Sequence, residues 1–449
     1  MGKCGKELLN ILRGIEGFFL FSLLQQEPPY ESSNLRNAHI QYHFTPWNHG
    51  VFVVFLIVQK GCFLMAQKQN IHLMYAIALL QGMVFYSPVA ALYRQAAGIT
   101  FFQITLIESI SMALTIILEF PMGLIADKIG YQKMISLSCT LFLFSKIIFW
   151  RADSFQDFLA ERLILSAVTA GLSGVDSAFL YLSCRKGESQ KVFGIYGNLT
   201  ILGMMAAAGV YAVFIGENYR LAGFLTVLTY GIAALLSFGL KEPARRYGTD
   251  GAHPTAVSAH RSFLSFKFIS PGLLSLVIAA GLLNEVHQTI TVFLNQLQYE
   301  KLGMSGSHIA LAYIGMTALG LSGIFSDRLT KWLGNRTAGS TLLLLACIAC
   351  LVLTLTGNAA LAVAAVFLLQ IAYNLFQPLQ LELQNQLATD RSRAAALSLN
   401  AALMDVIAVF TNLIFGRAAE YRLDAALGLA CIFCGCGFLL YRLTDGESS

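Results

Sequence analysis

From residue 72 onward the chain alternates long apolar stretches with short polar breaks that carry glycine or charge. An apolar run of about 20 residues, wound as a helix, matches the hydrocarbon thickness of a bilayer. Such runs predict membrane helices near 72–92, 101–123, 134–151, 158–183, 193–215 and 220–240, then near 270–297, 308–326, 338–356, 358–384, 393–416 and 424–442. The segment 241–267 between the two sets is rich in charge, Gly, Pro and Ser and reads as a linker. The expected fold is therefore an all-α integral membrane protein with one six-helix bundle over 72–240 and a second over 268–443.

Residues 1–71 fit this pattern poorly. They hold a polar stretch at 25–49 and an apolar run at 51–67 that Gln59 and Lys60 interrupt. The sequence M-A-Q-K-Q-N-I-H from Met65 leads directly into the first predicted span. The expectation is that Met65 is the true start and that 1–64 is not translated.

Two loops repeat. The first, 119–133, reads E-F-P-M-G-L-I-A-D-K-I-G-Y-Q-K, and the second, 323–336, reads G-I-F-S-D-R-L-T-K-W-L-G-N-R. Gly323 and Asp327 stand 200 positions after Gly123 and Asp127 (323 − 123), so the chain is built of two similar halves. In the first loop Gly130 permits the chain reversal. These residues resemble the signature G-x-x-x-D-[RK]-x-G-x-x-[RK] of the major facilitator superfamily, which Gly123, Asp127, Lys128, Gly130 and Lys133 match position by position. In the second copy Gly334 lies four places too late, so only Gly323, Asp327 and Arg328 are carried over.

A bacterial branch of that superfamily is suggested by S-G-V-D-S-A at 173–178, completed by Tyr181, and by Pro378, Asn385, Arg393, Ala394, Leu397 and Ser398, together with Glu119, Pro121 and Gly123. Ala395 and Leu182 depart from the branch pattern, which usually has Thr and Asp there. The resemblance spans 72–443. It implies twelve helices in two pseudo-symmetric bundles, a central cavity lined by spans 1, 4, 7 and 10, and a gating role for Asp127 and Arg328. It says nothing about the cargo.

Composition agrees. Of 449 residues 56% are hydrophobic and 12% charged, about half the charge of a soluble domain. The net charge of +5 is modest and dispersed, which gives no basis for nucleic-acid binding. Cys347 with Cys350, and Cys431 with Cys434 and Cys436, have metal-like spacing but lie in apolar runs without a neighbouring His or acid, so no metal and no cofactor are expected. Fifteen Lys and Arg fall in the loops on the Asp127 side and six in the opposite loops. That bias places the Asp127 loop and both ends of the twelve-helix unit in the cytoplasm.

Polar side chains inside a membrane must face protein or water. They recur here at helical spacing: Ser166, Thr169, Ser173, Asp176 and Ser177 on span 4, Asn284, His287, Gln288, Thr291 and Asn295 on span 7, and Gln370, Tyr373, Asn374, Gln377 and Gln384 on span 10. Span 1 adds Tyr75, Tyr86 and Tyr93. The substrate cavity is expected from Tyr86, Asp176, Asn284, His287, Gln288, Thr291, Gln370, Tyr373, Asn374 and Gln377. For the Ser and Thr members the competing reading is hydrogen-bonding glue between helices. Asp176, Glu108, Glu285 and Asp405 are the candidate coupling acids, Asp176 foremost, while Lys146 is read as reaching outward along span 3.

No G-x-x-x-x-G-K-[ST] loop and no H-E-x-x-H occur, which argues against an ATP-driven pump and a membrane metalloenzyme. The function expected is a secondary transporter, a monomer moving a small molecule across the bacterial cytoplasmic membrane by alternating access with proton coupling. The alternatives are a multidrug efflux protein, disfavoured because span 5 lacks the proline of G-P-x-x-G-G, and a transport-inactive sensor on the same fold.

Overall fold

The computed structural model describes residues 68–184, 188–243, 271–387 and 393–443. Met65, the extension before it and most of the linker lie outside the described residues, as does the side chain of Asp127. All twelve expected spans are present: α1 Lys68–Ala96, α2 Phe101–Ile129, α3 Tyr131–Arg151, α4 Phe155–Ser183, α5 Lys191–Ile215, α6 Tyr219–Ser237, α7 Pro271–Lys301, α8 Gly306–Leu333, α9 Asn335–Leu355, α10 Ala359–Leu387, α11 Arg393–Tyr421 and α12 Leu423–Leu443. No strand occurs among the described residues.

Local chemistry sets the helix ends. A reciprocal capping pair opens α2, where Thr100 Oγ1 accepts from the Gln103 amide at 3.2 Å and Gln103 Oε1 accepts from the Thr100 amide at 2.9 Å. Gly130, at φ +93°, both ends α2 and starts α3. The first free amides of α3, at Tyr131 and Gln132, donate to the Glu242 carboxylate at 3.0 and 2.8 Å, a cap supplied from beyond α6. Gly334, at φ +76°, does the same work between α8 and α9. The sequence reading left Gly334 out of the repeat, and the structure corrects this. Gly334 follows Asp327 by seven residues where Gly130 follows Asp127 by three, and four extra residues add about one helical turn. The second loop is the first with one more turn on its helix.

Two spans are broken. The first, α1, unwinds between Gly82 and Ser87, ahead of Pro88, and α6 satisfies the exposed backbone. Thr226 Oγ1 accepts from the Phe85 amide at 3.0 Å, while Thr229 Oγ1 and Tyr230 OH donate to the carbonyls of Met83 and Gln81 at 3.2 and 2.8 Å. Irregular backbone persists at membrane depth only when protein meets its hydrogen bonds in this way. The second break divides α4 into Phe155–Leu172 and Val175–Ser183 at Gly174, φ +76°. Short π-helical segments also occur at Tyr211–Ile215 in α5 and Ile290–Leu294 in α7.

Within the first bundle α2 and α3 pack on α4, and α6 packs on α3; within the second, α12 packs on α7 and α9, and α10 on α9. The bundles meet along α2 with α11 and α5 with α8. Gly416 on α11 lies against Thr105 of α2 with no room for a Cβ, and Ser109 Oγ donates to the Val409 carbonyl at 3.1 Å. Small residues let the backbones approach closely where apolar attraction between helices is weak.

Candidate functional site

The polar positions of α7 and α10 come together at mid-span. Gln370 Oε1 lies 2.6 Å from His287 Nε2, and the imidazole stacks on the Tyr373 ring at 3.7 Å with 6° between planes. Tyr373 OH donates to Asn284 Oδ1 at 2.7 Å, and Asn284 Nδ2 donates to Glu285 Oε1 at 3.2 Å. The other carboxylate oxygen, Glu285 Oε2, accepts from Asn412 Nδ2 of α11 at 3.1 Å. Asn412 Nδ2 also lies 3.5 Å from Met112 Sδ on α2 in the opposite bundle. One connected polar path therefore runs from the α7–α10 wall through a buried acid to the interface between the halves. Glu285 is 1% exposed and carries amide partners but no ion pair among the described residues. Accessible beside it is Gln288, while Thr291 turns its hydroxyl back to the His287 carbonyl at 2.7 Å. Asn374 and Gln377 are half-buried; they bond within α10 to the Gln370 carbonyl at 2.7 Å and to Gln380 Nε2 at 3.1 Å.

The first bundle holds a different kind of site. Arg162 Nη2 approaches Glu108 Oε1 at 2.5 Å, Arg94 Nη1 reaches the same oxygen at 3.4 Å, and Lys146 Nζ lies 3.5 Å from Glu161 Oε1. Arg162 Nε stands 3.7 Å from Glu161 Oε2. Lys146 is thus buried and paired rather than reaching outward, because Glu161 waits at the adjoining turn of α4. Glu108, one of the candidate coupling acids, is held by two guanidinium groups. Tyr86 is also corrected: it is buried in the core, stacked on Phe149 at 4.0 Å, with the Lys146 ammonium 5.8 Å over its ring.

The α4 stripe divides where the helix breaks. Ser166 is buried glue, bonded to Ser111 Oγ at 2.9 Å across the α2–α4 contact, and Thr169 bonds to the Leu165 carbonyl at 2.9 Å. Ser173 is accessible and donates to Glu119 Oε1 at 3.0 Å. Asp176 sits half-buried in the first turn of the short helix after Gly174, where its Oδ1 accepts from the Ser177 amide at 2.6 Å. Among the described residues it makes no hydrogen bond or ion pair with Glu285, Glu108 or Glu161. Gly171 packs tightly on Met134 and Met122, as its size suggests, whereas a Cβ on Gly174 would meet open space, so its positive φ at the bend and not close packing calls for glycine there. Asp405 is half-buried on α11 within electrostatic range of Glu119 and Glu285.

Contacts between the halves also occur at the end away from the Asp127 loop. Gln296 Oε1 of α7 accepts from the Ala91 amide of α1 at 2.8 Å, and its Nε2 lies 3.5 Å from the Ser87 carbonyl. Gln296 escaped the sequence reading because it lies one residue past Asn295, off the α7 stripe, and its partners are on α1. In the loops, Lys128, Lys133 and Arg328 are exposed and Asp327 pairs with Lys331 at 2.7 Å, while Gly323 brings α8 against the Asn374 carbonyl of α10.

A sequence profile described as Major Facilitator Superfamily matches residues 71–412. The chain belongs to the Major Facilitator Superfamily. It is a multi-pass membrane protein and not an enzyme. No curated protein matches the sequence. Among solved structures, a bacterial homologue of the human lysosomal transporter Spinster, in an inward-facing and unoccupied conformation, is 18% identical with a TM-score of 0.66, covering 85% of this chain and 97% of that one. The nucleoside transporter NupG is 14% identical with a TM-score of 0.70 over 84% of this chain and 98% of its own. The peptide transporter POT in complex with sulfate is 14% identical with a TM-score of 0.66 over 85% and 94%. At these identities the likeness establishes the shared superfamily fold.

Of the glycines in the two loops, Gly130, Gly323 and Gly334 have clear structural reasons in this chain. The residues that sequence reasoning missed are Arg94, Glu161, Arg162, Gln296, Asn412 and Glu242. The signal for two of them was present: Glu161 and Arg162 are adjacent charges within a predicted span, near its start, which is costly unless they are partnered or reach the interface.

Proposed function

We propose that this superfamily member is a proton-coupled secondary transporter that carries a small molecule across a bacterial cytoplasmic membrane by alternating access. The observation that carries the reading is the polar path Gln370–His287–Tyr373–Asn284–Glu285–Asn412, half-buried at Asn284, His287 and Tyr373 and buried at Glu285 and Asn412, which joins the wall of α7 and α10 to the α2–α11 interface. A proton arriving at or leaving Glu285 changes the charge between helices that move when the bundles rock. Glu285 takes the coupling role expected of Asp176, since among the described residues Asp176 hydrogen-bonds only to Ser177, at the start of a short helix. Anions at such a helix start are stabilised by about 0.3–1 kcal/mol, reason enough for an Asp there.

Substrate contacts are assigned to Asn284, His287, Gln288, Gln370, Tyr373, Asn374 and Gln377. Accessible polar groups such as Gln288 and Ser173 within spans require wet space, which supports a cavity between the bundles. The bundles 72–240 and 268–443, joined by 241–267, move as the two rocking bodies, with the Asp127 loop and both ends of the helical unit in the cytoplasm. The test is transport in vesicles of purified protein under an imposed pH gradient. Accumulation that follows the gradient supports the reading; solute movement indifferent to pH in every compound tested removes the coupling, and no movement of any compound removes the transporter.

A further inference from the structure

We propose that the buried charge cluster of the first bundle is the docking point for an oxyanion group of the cargo, a carboxylate or phosphate carrying negative charge. The inference rests on the transporter reading and deepens it by naming a substrate class. Three cations, Arg94, Lys146 and Arg162, share two carboxylates, Glu108 and Glu161, so the cluster holds one positive charge in excess. An uncompensated charge inside a membrane protein is costly, and such groups mark ligand or ion paths.

The guanidinium groups are also under-used. Both arginines crowd one oxygen, Glu108 Oε1; among the described residues the buried Nε–H of Arg94 has no hydrogen-bond acceptor, and Arg162 Nε stands 3.7 Å from Glu161 Oε2, too far for a hydrogen bond and leaving both atoms unsatisfied. Arginine presents a planar fork that suits a two-oxygen anion, and buried donors are ordinarily satisfied. The Arg94 side chain is only 4% exposed, whereas Arg162 keeps 24% of its side-chain surface open. An incoming anion therefore meets Arg162 first, with Arg94 behind it.

Position links the cluster to gating. Arg94 lies on the short helical piece Ala90–Ala96, whose Ala91 amide is bonded to Gln296 of the opposite bundle. A ligand drawn onto Arg94 and Arg162 pulls on the same piece of α1 that contacts the second bundle at the end away from the Asp127 loop. Occupancy and opening thus act on one element.

The probes are acetate, inorganic phosphate, acetamide and chloride, added to purified full-length protein in detergent while thermal unfolding and binding heat are read. Acetate or phosphate should raise the melting temperature, and acetamide and chloride should not; which oxyanion acts more strongly separates a carboxylate from a phosphate cargo. Arg162→Gln should abolish the shift. Glu108→Gln, which frees both arginines from their shared oxygen, should tighten oxyanion binding by about tenfold, the effect of one added charge-assisted contact. The proposal is overturned if acetamide or chloride acts as strongly as the oxyanions, if neither oxyanion shifts the wild type, or if Glu108→Gln weakens binding. The wild-type comparison needs no variant to fold. A protein that accumulates solute yet ignores oxyanions keeps the transporter reading and loses this one; oxyanion binding without any transport does the reverse.

Discussion

Replacing Glu285 by Gln removes a charge from the middle of α7 while keeping its shape. In the wild type each carboxylate oxygen accepts one amide hydrogen bond, from Asn284 at 3.2 Å and from Asn412 at 3.1 Å. The new amide turns one acceptor into a donor, which faces Asn412 Nδ2 donor to donor. Asn412 Oδ1 has no partner, so a flip of that amide restores the bond and gives up only the Met112 sulfur contact. The loss is thus at most one hydrogen bond, about 0.5–1.5 kcal/mol. Against it stands relief from placing a carboxylate in a span, about 2.5–3.5 kcal/mol on insertion scales. The Gln variant should therefore be as stable as the wild type or more so, by about 1–3 kcal/mol on these scales. It should lose accumulation driven by a pH gradient and retain exchange of solute across vesicles. Denaturation in detergent and paired accumulation and exchange assays read the two halves of this prediction. Wild-type accumulation by Glu285→Gln would refute the coupling role, and a fall in stability of several kcal/mol would make the acid structural.

Lys146→Met should destabilise the protein by about 3 kcal/mol or more, because it leaves Glu161 buried with only the more distant Arg162, and Lys146→Met with Glu161→Gln should recover most of the loss; a single variant that melts like the wild type would count against the buried pair. Gly130→Ala and Gly334→Ala should each cost about 1–3 kcal/mol from backbone strain, with Gly130 the worse because its new Cβ also meets the Glu242 carboxylate at 3.1 Å; thermal unfolding ranks them. Alanine at Gln288, Asn374 or Gln377 should raise the substrate concentration needed for half-maximal transport more than alanine at Ser166, which is packed against Ser111. Equal effects at all four positions would assign the α7 and α10 polar residues to helix packing.

The α7–α10 site shows how much periodicity alone can reveal. Its members were legible because Asn284, His287 and Gln370, Tyr373 repeat along two apolar helices, and polar groups at such spacing must share a face. What spacing cannot provide is the partner on another helix, so Asn412, which ties Glu285 to α11, was invisible. The same holds for Lys146: one charge near the end of an apolar run reads equally as a snorkelling side chain or as half of a buried pair, and only the packing of α3 on α4 decides between them.

By itself the sequence determined the twelve spans, because bilayer thickness and backbone hydrogen bonding leave an apolar chain few ways to fold, while the loop motifs carried the twofold repeat and the resemblance to the superfamily. The tertiary structure decided where regular helices give way and which charges meet. The unwinding of α1, the bend of α4 at Gly174 and the π segment of α7 each shift a register that periodicity assumes to be continuous. Asp176, just past the α4 bend, bonds to Ser177, and Gln296, just past the π segment, meets α1. The charge cluster draws on four helices, with 68 residues from Arg94 to Arg162 (162 − 94), and pairs so distant in sequence acquire meaning only when helix packing closes the gap between them.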